Sequence, residues 1–328
     1  MKDCVFCAGL RGEVELSRVF EDDEVLAFLD HRPVFPGHVL LIPKRHMETL
    51  DELRPAEVPG LFEKLRVLSR AVPLATGGQG CFVANNNVVS QSVPHLHWHA
   101  VPRTKGDGLK GFFWPRRPYA DAEAREAVRS QLEDVILQEL ILDFWFGPGP
   151  GPASEAYVKR WFAQDAEFDA AIRQRFGSVM EAALAGGLTT WENSARGRLA
   201  LILLLDQFTR NLGRHTAAAF AGDERAQRVA LEMVNQQVDQ TLTADQRIFA
   251  YLPFEHGESA AWQKMSLKMY EQLRAEAGED YQRYLIYAQK HSVIIERFGR
   301  YPHRNQALGR ASTPEEVKFL NEPDSSFW

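Results

Sequence analysis

His95-Leu96-His97-Trp98-His99-Ala100-Val101 alternates three imidazoles with apolar side chains. Successive side chains of a strand point to opposite faces, so this run predicts a strand carrying all three histidines on one face and burying Leu96, Trp98 and Ala100 on the other. The three rings then share one site. The bland alternative is a metal-binding, tag-like histidine tract on a loop. Against it, every intervening residue is apolar and the stretch continues into Val101-Pro102, which fits a half-buried strand.

The residues around this run have the same character. Val14 to Phe20, Val25 to Leu29, Val39 to Ile42 and Cys81 to Ala84 are rich in β-branched and aromatic residues and are separated by Gly and Pro, so they read as further short strands. Between them, Leu53 to Leu74 has helical spacing at Leu61, Phe62, Leu65 and Leu68 and is bounded by Pro55 and Pro73. One helix against several strands predicts an α+β unit.

Three separated motifs now stand in order: Pro36-Gly37-His38-Val39-Leu40-Leu41-Ile42-Pro43-Lys44-Arg45-His46, then Gln91-Ser92-Val93-Pro94, then the alternating histidines. Together they resemble the histidine triad (HIT) family of nucleotide hydrolases and transferases, over roughly residues 1 to 130. The resemblance implies an α+β fold, an antiparallel sheet with helices, and a homodimer formed through sheet and helix. It assigns the nucleophile to His97. A neutral imidazole can attack phosphorus and split one hard hydrolysis into two easier steps, provided an acceptor holds the proton on its other nitrogen. The same resemblance puts His99 and His38 against phosphate and nucleotide and lets the Ser92 hydroxyl reach the leaving oxygen. Gln91 would position the loop. Asn85, the first of Asn85-Asn86-Asn87, would supply the upstream amide, with a spacing to Gln91 about one residue short. For His38 and Ser92 the plainer roles are a satisfied histidine at a strand start and a turn-capping hydroxyl.

The chain has three cysteines, two of them in Cys4-Val5-Phe6-Cys7. That is the spacing of a metal clip rather than of a disulfide framework. With His46 and His95 the pair would close a tetrahedral Cys₂His₂ zinc site, and in family members with both motifs the metal is structural. Otherwise Cys4 and Cys7 are two free thiols packed near the surface, and Cys81 is a core residue.

A length of 328 residues suits two domains, each with its own core. The formal charge of −6 argues against a protein that coats nucleic acid or anionic membrane. Met1-Lys2-Asp3-Cys4 opens without an apolar signal region, and the aliphatic run Leu199 to Leu205 is too short to span a bilayer, so a cytoplasmic chain is expected.

The character changes after Trp114-Pro115-Arg116-Arg117-Pro118. Ala120 to Leu142 is charged, Ala-rich and helical in spacing. Gly147-Pro148-Gly149-Pro150-Gly151-Pro152 could be a linker, but Ile141 to Phe146 is too apolar to lie outside a core, so the run reads as a loop inside the second domain. The expected domains are therefore 1–134 and 135–328. The second is all-α: one helical pattern runs from Val158 to Phe176 and stops at Gly177, another from Tyr284 to Phe298 and stops at Gly299.

Leu199 to Asn211, Leu252 to Ser259 and Arg297 to Asn305 resemble an uncharacterised bacterial family of all-helical, tetratricopeptide-like domains, over roughly residues 135 to 328. That resemblance implies no activity. Physically, Asp206 precedes Arg210 by one turn on a largely apolar helix and His291 lies in an apolar stripe, which buried ion pairs and core histidines would explain. Arg297, Arg300, His303, Arg304 and Arg310, however, gather cations with only Glu296 near them in sequence. They predict an anion-binding cleft on this domain, completed by Asp206, Arg210, Glu255, His256 and His291.

The expectation for the chain is an enzyme that cleaves a phosphoanhydride or phosphoramidate of a nucleoside phosphate through a nucleotidyl-His97. The alternative is a nucleotide-binding regulatory module whose helical domain docks a partner protein.

Overall fold

The computed structural model describes residues 4–109, 119–147, 153–322 and 325, and they form two compact units, the second beginning at Tyr119. Trp114 to Pro118 and Pro148 to Pro152, which figured in the reading of domain boundaries, lie outside the described residues.

The first unit runs α1 (Val5–Leu10), β1 (Arg18–Glu21), β2 (Val25–Leu29), β3 (Val39–Pro43), α2 (Val58–Thr76), β4 (Gly80–Asn85) and β5 (Trp98–Arg103). All strand pairs are antiparallel, in the order β1-β2-β3-β5-β4. The alternation in each strand divides the sheet into two apolar layers. Val25, Ala27, Val39, Leu41, Leu96 and Ala100 pack on Leu61, Leu65, Leu68 and Val72 of α2. Leu26, Phe28, Leu40 and Ile42 pack on Phe6 and the two cysteines of the N-terminal segment. Residues directly opposite in an antiparallel pair share a face, and the register sets Leu40 against His99, so His99 belongs to the second layer.

Several expected boundaries move. β5 begins at Trp98, so of the three histidines only His99 lies in the strand and His95 and His97 lie on the approach to it, and α2 begins at Val58 rather than Leu53. The first strand begins at Arg18 rather than Val14, because it is an exposed strand at the sheet edge with little burial to lengthen it. Pro73 lies inside α2 rather than ending it: the helix closes at Gly77 in the left-handed conformation, where the Gly77 and Gly78 amides both donate to the Pro73 carbonyl.

The second unit contains α3 (Ala122–Phe146), α4 (Glu155–Trp161), α5 (Ala166–Leu184), α6 (Ala195–Ile202), α7 (Thr209–Gly213), α8 (Asp223–Asn235), α9 (Ala244–Glu255), α10 (Ala260–Ala277), α11 (Gln282–Phe298) and α12 (Pro314–Leu320). The boundary expected near residue 134 falls within α3, one continuous helix grouped with this unit. Its apolar end, Ile141, Leu142, Trp145 and Phe146, enters the core. The single helix expected from Val158 to Phe176 is two. Asp165 accepts from the Glu167 and Phe168 amides and starts α5 afresh, and Gly177 lies in that helix's interior. Gly299, at φ 68°, ends α11 as its pattern predicts. No helix among the described residues is long and apolar enough to cross a membrane.

Between α6 and α7 the chain takes a π-helical turn, Leu203–Phe208, every residue of which is buried. A π turn carries an extra residue per turn and so re-aims the side chains that follow, and such turns gather at functional sites. Gly222, the N-cap of α8, lies so close to this turn that an added Cβ would stand 2.2 Å from the Leu205 carbonyl oxygen. Gly222→Ala should therefore destabilise the second unit by about 2 kcal/mol. The check is urea denaturation followed through that unit's transition; an unchanged midpoint would show that the contact relaxes freely.

Candidate functional site

Two groups of chemistry-bearing side chains meet on the α1 face of the sheet. In the first, His97 is buried and its Nδ1–H donates to the backbone carbonyl of His95 at 2.6 Å. This fixes the tautomer and leaves the Nε2 lone pair free. Asn85 donates from Nδ2 to the His97 carbonyl at 2.8 Å, and Phe6 lies edge-on to the His97 ring at 5.5 Å. The ring is thus held by backbone on one side and an aromatic on the other.

His99 and His38 meet beside it, His38 Nε2 to His99 Nδ1 at 3.0 Å. His38 is buried, with Asp30 at 3.4 Å from its Nδ1. Burial, and then the neighbouring rings His97 and His38, push His99 down to about 4. Burial also pushes His38 down against the pull of Asp30. Both rings are therefore neutral at neutral pH, able to give and accept hydrogen bonds to phosphate without carrying charge.

The loop before the triad is tied from within. Gln91 donates from Nε2 to the Glu48 carbonyl at 2.6 Å and accepts the Val88 amide at 3.0 Å. Val88 and Ser90 both take positive φ, an unusual and strained backbone for such residues. Ser92 is exposed on this loop. Asn85 and Gln91, expected at nucleotide, thus spend these hydrogen bonds on backbone.

The second group is Cys4, Cys7, His46 and His95, whose ligand atoms all lie within 4.8 Å of one another. His95 donates from Nε2 to the Pro43 carbonyl at 2.9 Å, which turns Nδ1 toward Cys4 Sγ at 3.4 Å; His46 Nδ1 lies 3.3 Å from Cys7 Sγ. A ring nitrogen engaged by a carbonyl with its partner aimed at thiols is the usual arrangement around a bound metal. Burial and the neighbouring Cys4 raise the Cys7 thiol, a cost that a cation would reverse. Sequence reasoning found both groups but missed Phe6 and Asp30, which carry no motif of their own.

In the second unit the eight expected residues separate. Asp206, fully buried, accepts from His256 Nδ1 at 2.7 Å and lies 2.9 Å from Arg210 Nη1. Arg210 also reaches Asp223 through two hydrogen bonds, and Arg304 meets the same carboxylate at 3.2 Å. Glu255 lies 3.2 Å from His291. Arg210, Glu255, His256, His291, His303 and Arg304 line one cavity. Arg300 does not: it forms a two-pronged bond to Glu316 and reaches the Ala311 carbonyl. Arg297 and Arg310 are likewise matched, to Glu315 and Glu258. The opposing charge that seemed absent near these arginines comes from α12 and the Gly257–Ser259 turn.

Comparison with known proteins follows the same division. The HIT domain profile matches residues 11–106, and the profile described as a bacterial protein of unknown function (DUF924) matches residues 141–324. A HIT-like protein of Methanocaldococcus jannaschii is 40% identical over 111 residues, 32% of this chain and 82% of that protein. Adenylylsulfatase HINT3 of Arabidopsis thaliana is 39% identical over 33% of this chain and 55% of its own length. A solved structure of a protein of unknown function from Agrobacterium tumefaciens is 40% identical, covers 57% of this chain and 98% of its own, and superposes with a TM-score of 0.50. The chain therefore belongs to the HIT family through its first unit and to the bacterial DUF924 family through its second.

Proposed function

We propose that the first unit is a nucleotidyl hydrolase or transferase that cleaves a phosphoanhydride or phosphoramidate bond of a nucleoside phosphate through a covalent adduct on His97. The observation that carries this reading is the 2.6 Å bond from His97 Nδ1–H to the His95 carbonyl, which presents Nε2 as a nucleophile. Its lone pair attacks phosphorus, a P–N bond forms, and the bond to the leaving oxygen or nitrogen breaks. The Ser92 hydroxyl is the group assigned to give that leaving atom a proton. Water then attacks the same phosphorus and returns a proton to Ser92, the P–N bond breaks, and His97 is regenerated as the nucleotide leaves with the water oxygen. Neutral His38 and His99 serve as preset hydrogen-bonding groups for the phosphoryl oxygens. The name of the HINT3 relative, an adenylylsulfatase, agrees with cleavage at a nucleotidyl phosphorus.

Zinc fits Cys4, Cys7, His46 and His95 in both donor type and closeness. Bound there it would supply a crosslink between the N-terminal segment, the end of β3 and the approach to β5, with no part in the reaction.

A homodimer through the first unit is the assembly that the sheet supports. β4 is an edge strand, and Val67 and Leu74, seven residues apart on one face of α2, are exposed. Light scattering at micromolar concentration should give twice the chain mass; a monomer would reject this assembly.

Two variants test these readings, one the chemistry and one the metal. His97→Ala should lower hydrolysis of dinucleoside polyphosphates or adenosine phosphoramidate by about 10⁴-fold while the fold persists, and mass spectrometry of the wild type with substrate should find a nucleotidyl adduct on His97. Near-normal turnover in the variant removes the mechanism. For the metal, elemental analysis should find one zinc per chain, and Cys4→Ser with Cys7→Ser should lower the first unit's melting temperature by about 5 °C. Metal-free protein of equal stability would leave two thiols and nothing more.

A further inference from the structure

The triad chemistry makes no use of a cavity of about 560 Å³ in the second unit, a volume that suits a small organic ligand. Its inner end holds Arg304, which is 5% exposed and lies 4.6 Å over both the Phe220 and Tyr301 rings. Its Nη1 donates to Asp223, while its Nε has no acceptor among the described residues. Arg297, Arg300 and Arg310 each close an ion pair with a different carboxylate, whereas the one carboxylate that Arg304 bonds, Asp223, is also held by Arg210. Burying a guanidinium with donors unspent is costly, and an oxyanion is the group that uses them.

The surroundings admit negative charge. Asp206 and Asp223 are matched by Arg210 and Arg304. Glu255 is pushed up to about 8 by burial and then by Asp206, so at neutral pH it is an uncharged donor rather than a repelling carboxylate. His256 gives its Nδ1–H to Asp206, and burial followed by Arg210 holds the ring neutral, so its Nε2 can accept a hydroxyl proton. Around the same cavity, Arg283 and Lys290 are exposed cations on α11, and Trp161 and Tyr284 supply buried aromatic wall. Exposed cations steer anions inward, and aromatic walls take an apolar body.

We propose that this cavity binds a small organic oxyanion, a carboxylate or a phosphate ester on an apolar body, with its headgroup at Arg304 and Arg210 and its body against Trp161 and Tyr284. The site belongs to the second unit alone and stands whether or not the triad reading does.

Calorimetric titration of the full chain with phenyl phosphate and with mandelate, and with benzyl alcohol as the uncharged control, tests it. Saturable binding of at least one of the two anions is expected, and which one binds identifies the headgroup. Arg304→Gln should abolish that binding. Because Arg304 is buried and could be needed for folding, Arg283→Glu with Lys290→Glu, both exposed, provides the second arm. It should weaken binding by about tenfold with an unchanged circular dichroism spectrum. The proposal is overturned if neither anion binds at millimolar concentration, if benzyl alcohol binds as well as they do, or if the charge-reversed protein binds like wild type.

Discussion

One residue's backbone and side chain join the two halves of the triad site. The carbonyl of His95 holds the Nδ1 proton of His97, while the His95 ring, fixed by the Pro43 carbonyl, turns toward Cys4 and Cys7. The tautomer of His97, the proposed nucleophile, is therefore set by a residue whose own ring is held between the Pro43 carbonyl and the cysteine pair. Phe6, inside the Cys4–Cys7 segment, closes the loop by packing edge-on to both His95 and His97. A short N-terminal helix of six residues would be marginal alone. Its hold on the sheet comes from that cluster and from the apolar layer of Leu26, Phe28, Leu40 and Ile42.

The two units handle buried polarity in opposite ways. In the first, buried imidazoles bond to backbone carbonyls and to each other, and burial pushes His38, His95 and His99 down. In the second, full charges are buried in a connected set: Asp206, Arg210, Asp223 and Arg304. Burial pushes the Asp206 carboxylate up, but Arg210, His256 and Gln207 outweigh it and hold the group well below the usual range. Such a set costs more desolvation than it returns in stability unless every member is paired. The π turn Leu203–Phe208 is what brings Asp206 and Gln207 into it from a run that is otherwise apolar.

Much of the first unit was legible because its signals are local. Period-two alternation marked the run that leads into β5, β-branched and aromatic content marked the strands Val25–Leu29 and Val39–Pro43, and the candidate ligand set was readable from Cys-x-x-Cys and two histidines already placed by motif. What stayed hidden was set by distance in the chain. Arg300 and Arg304 look alike in sequence, four residues apart, yet Glu316 captures the first and the second stays inside with Phe220 and Asp223. The break between α4 and α5 was masked because apolar spacing continues through it, and the capping role of Asp165 is not visible from periodicity. The π turn was equally silent, since an unbroken apolar stretch from Leu199 to Leu205 has no period to reveal a change of helix.

The neutrality of the buried histidines separates a structural from a receptive interior. His303, pushed down to about 3 by burial and then by Arg304, and His291, held well below its ordinary value by burial, contribute no positive charge at neutral pH. The cation count at the inner end of the cavity thus reduces to Arg210 and Arg304, matched against Asp206 and Asp223. A balanced interior that only held helices together would have little use for a cavity beside it, since apolar side chains of similar volume would fill the space and stabilise the core more. Here the space is kept open next to an arginine with donors to spare, an imidazole nitrogen available as an acceptor, and a carboxyl that burial keeps protonated. Each of those groups has one partner in the protein and keeps hydrogen-bonding capacity beyond it, and that surplus is what an entering oxyanion would use.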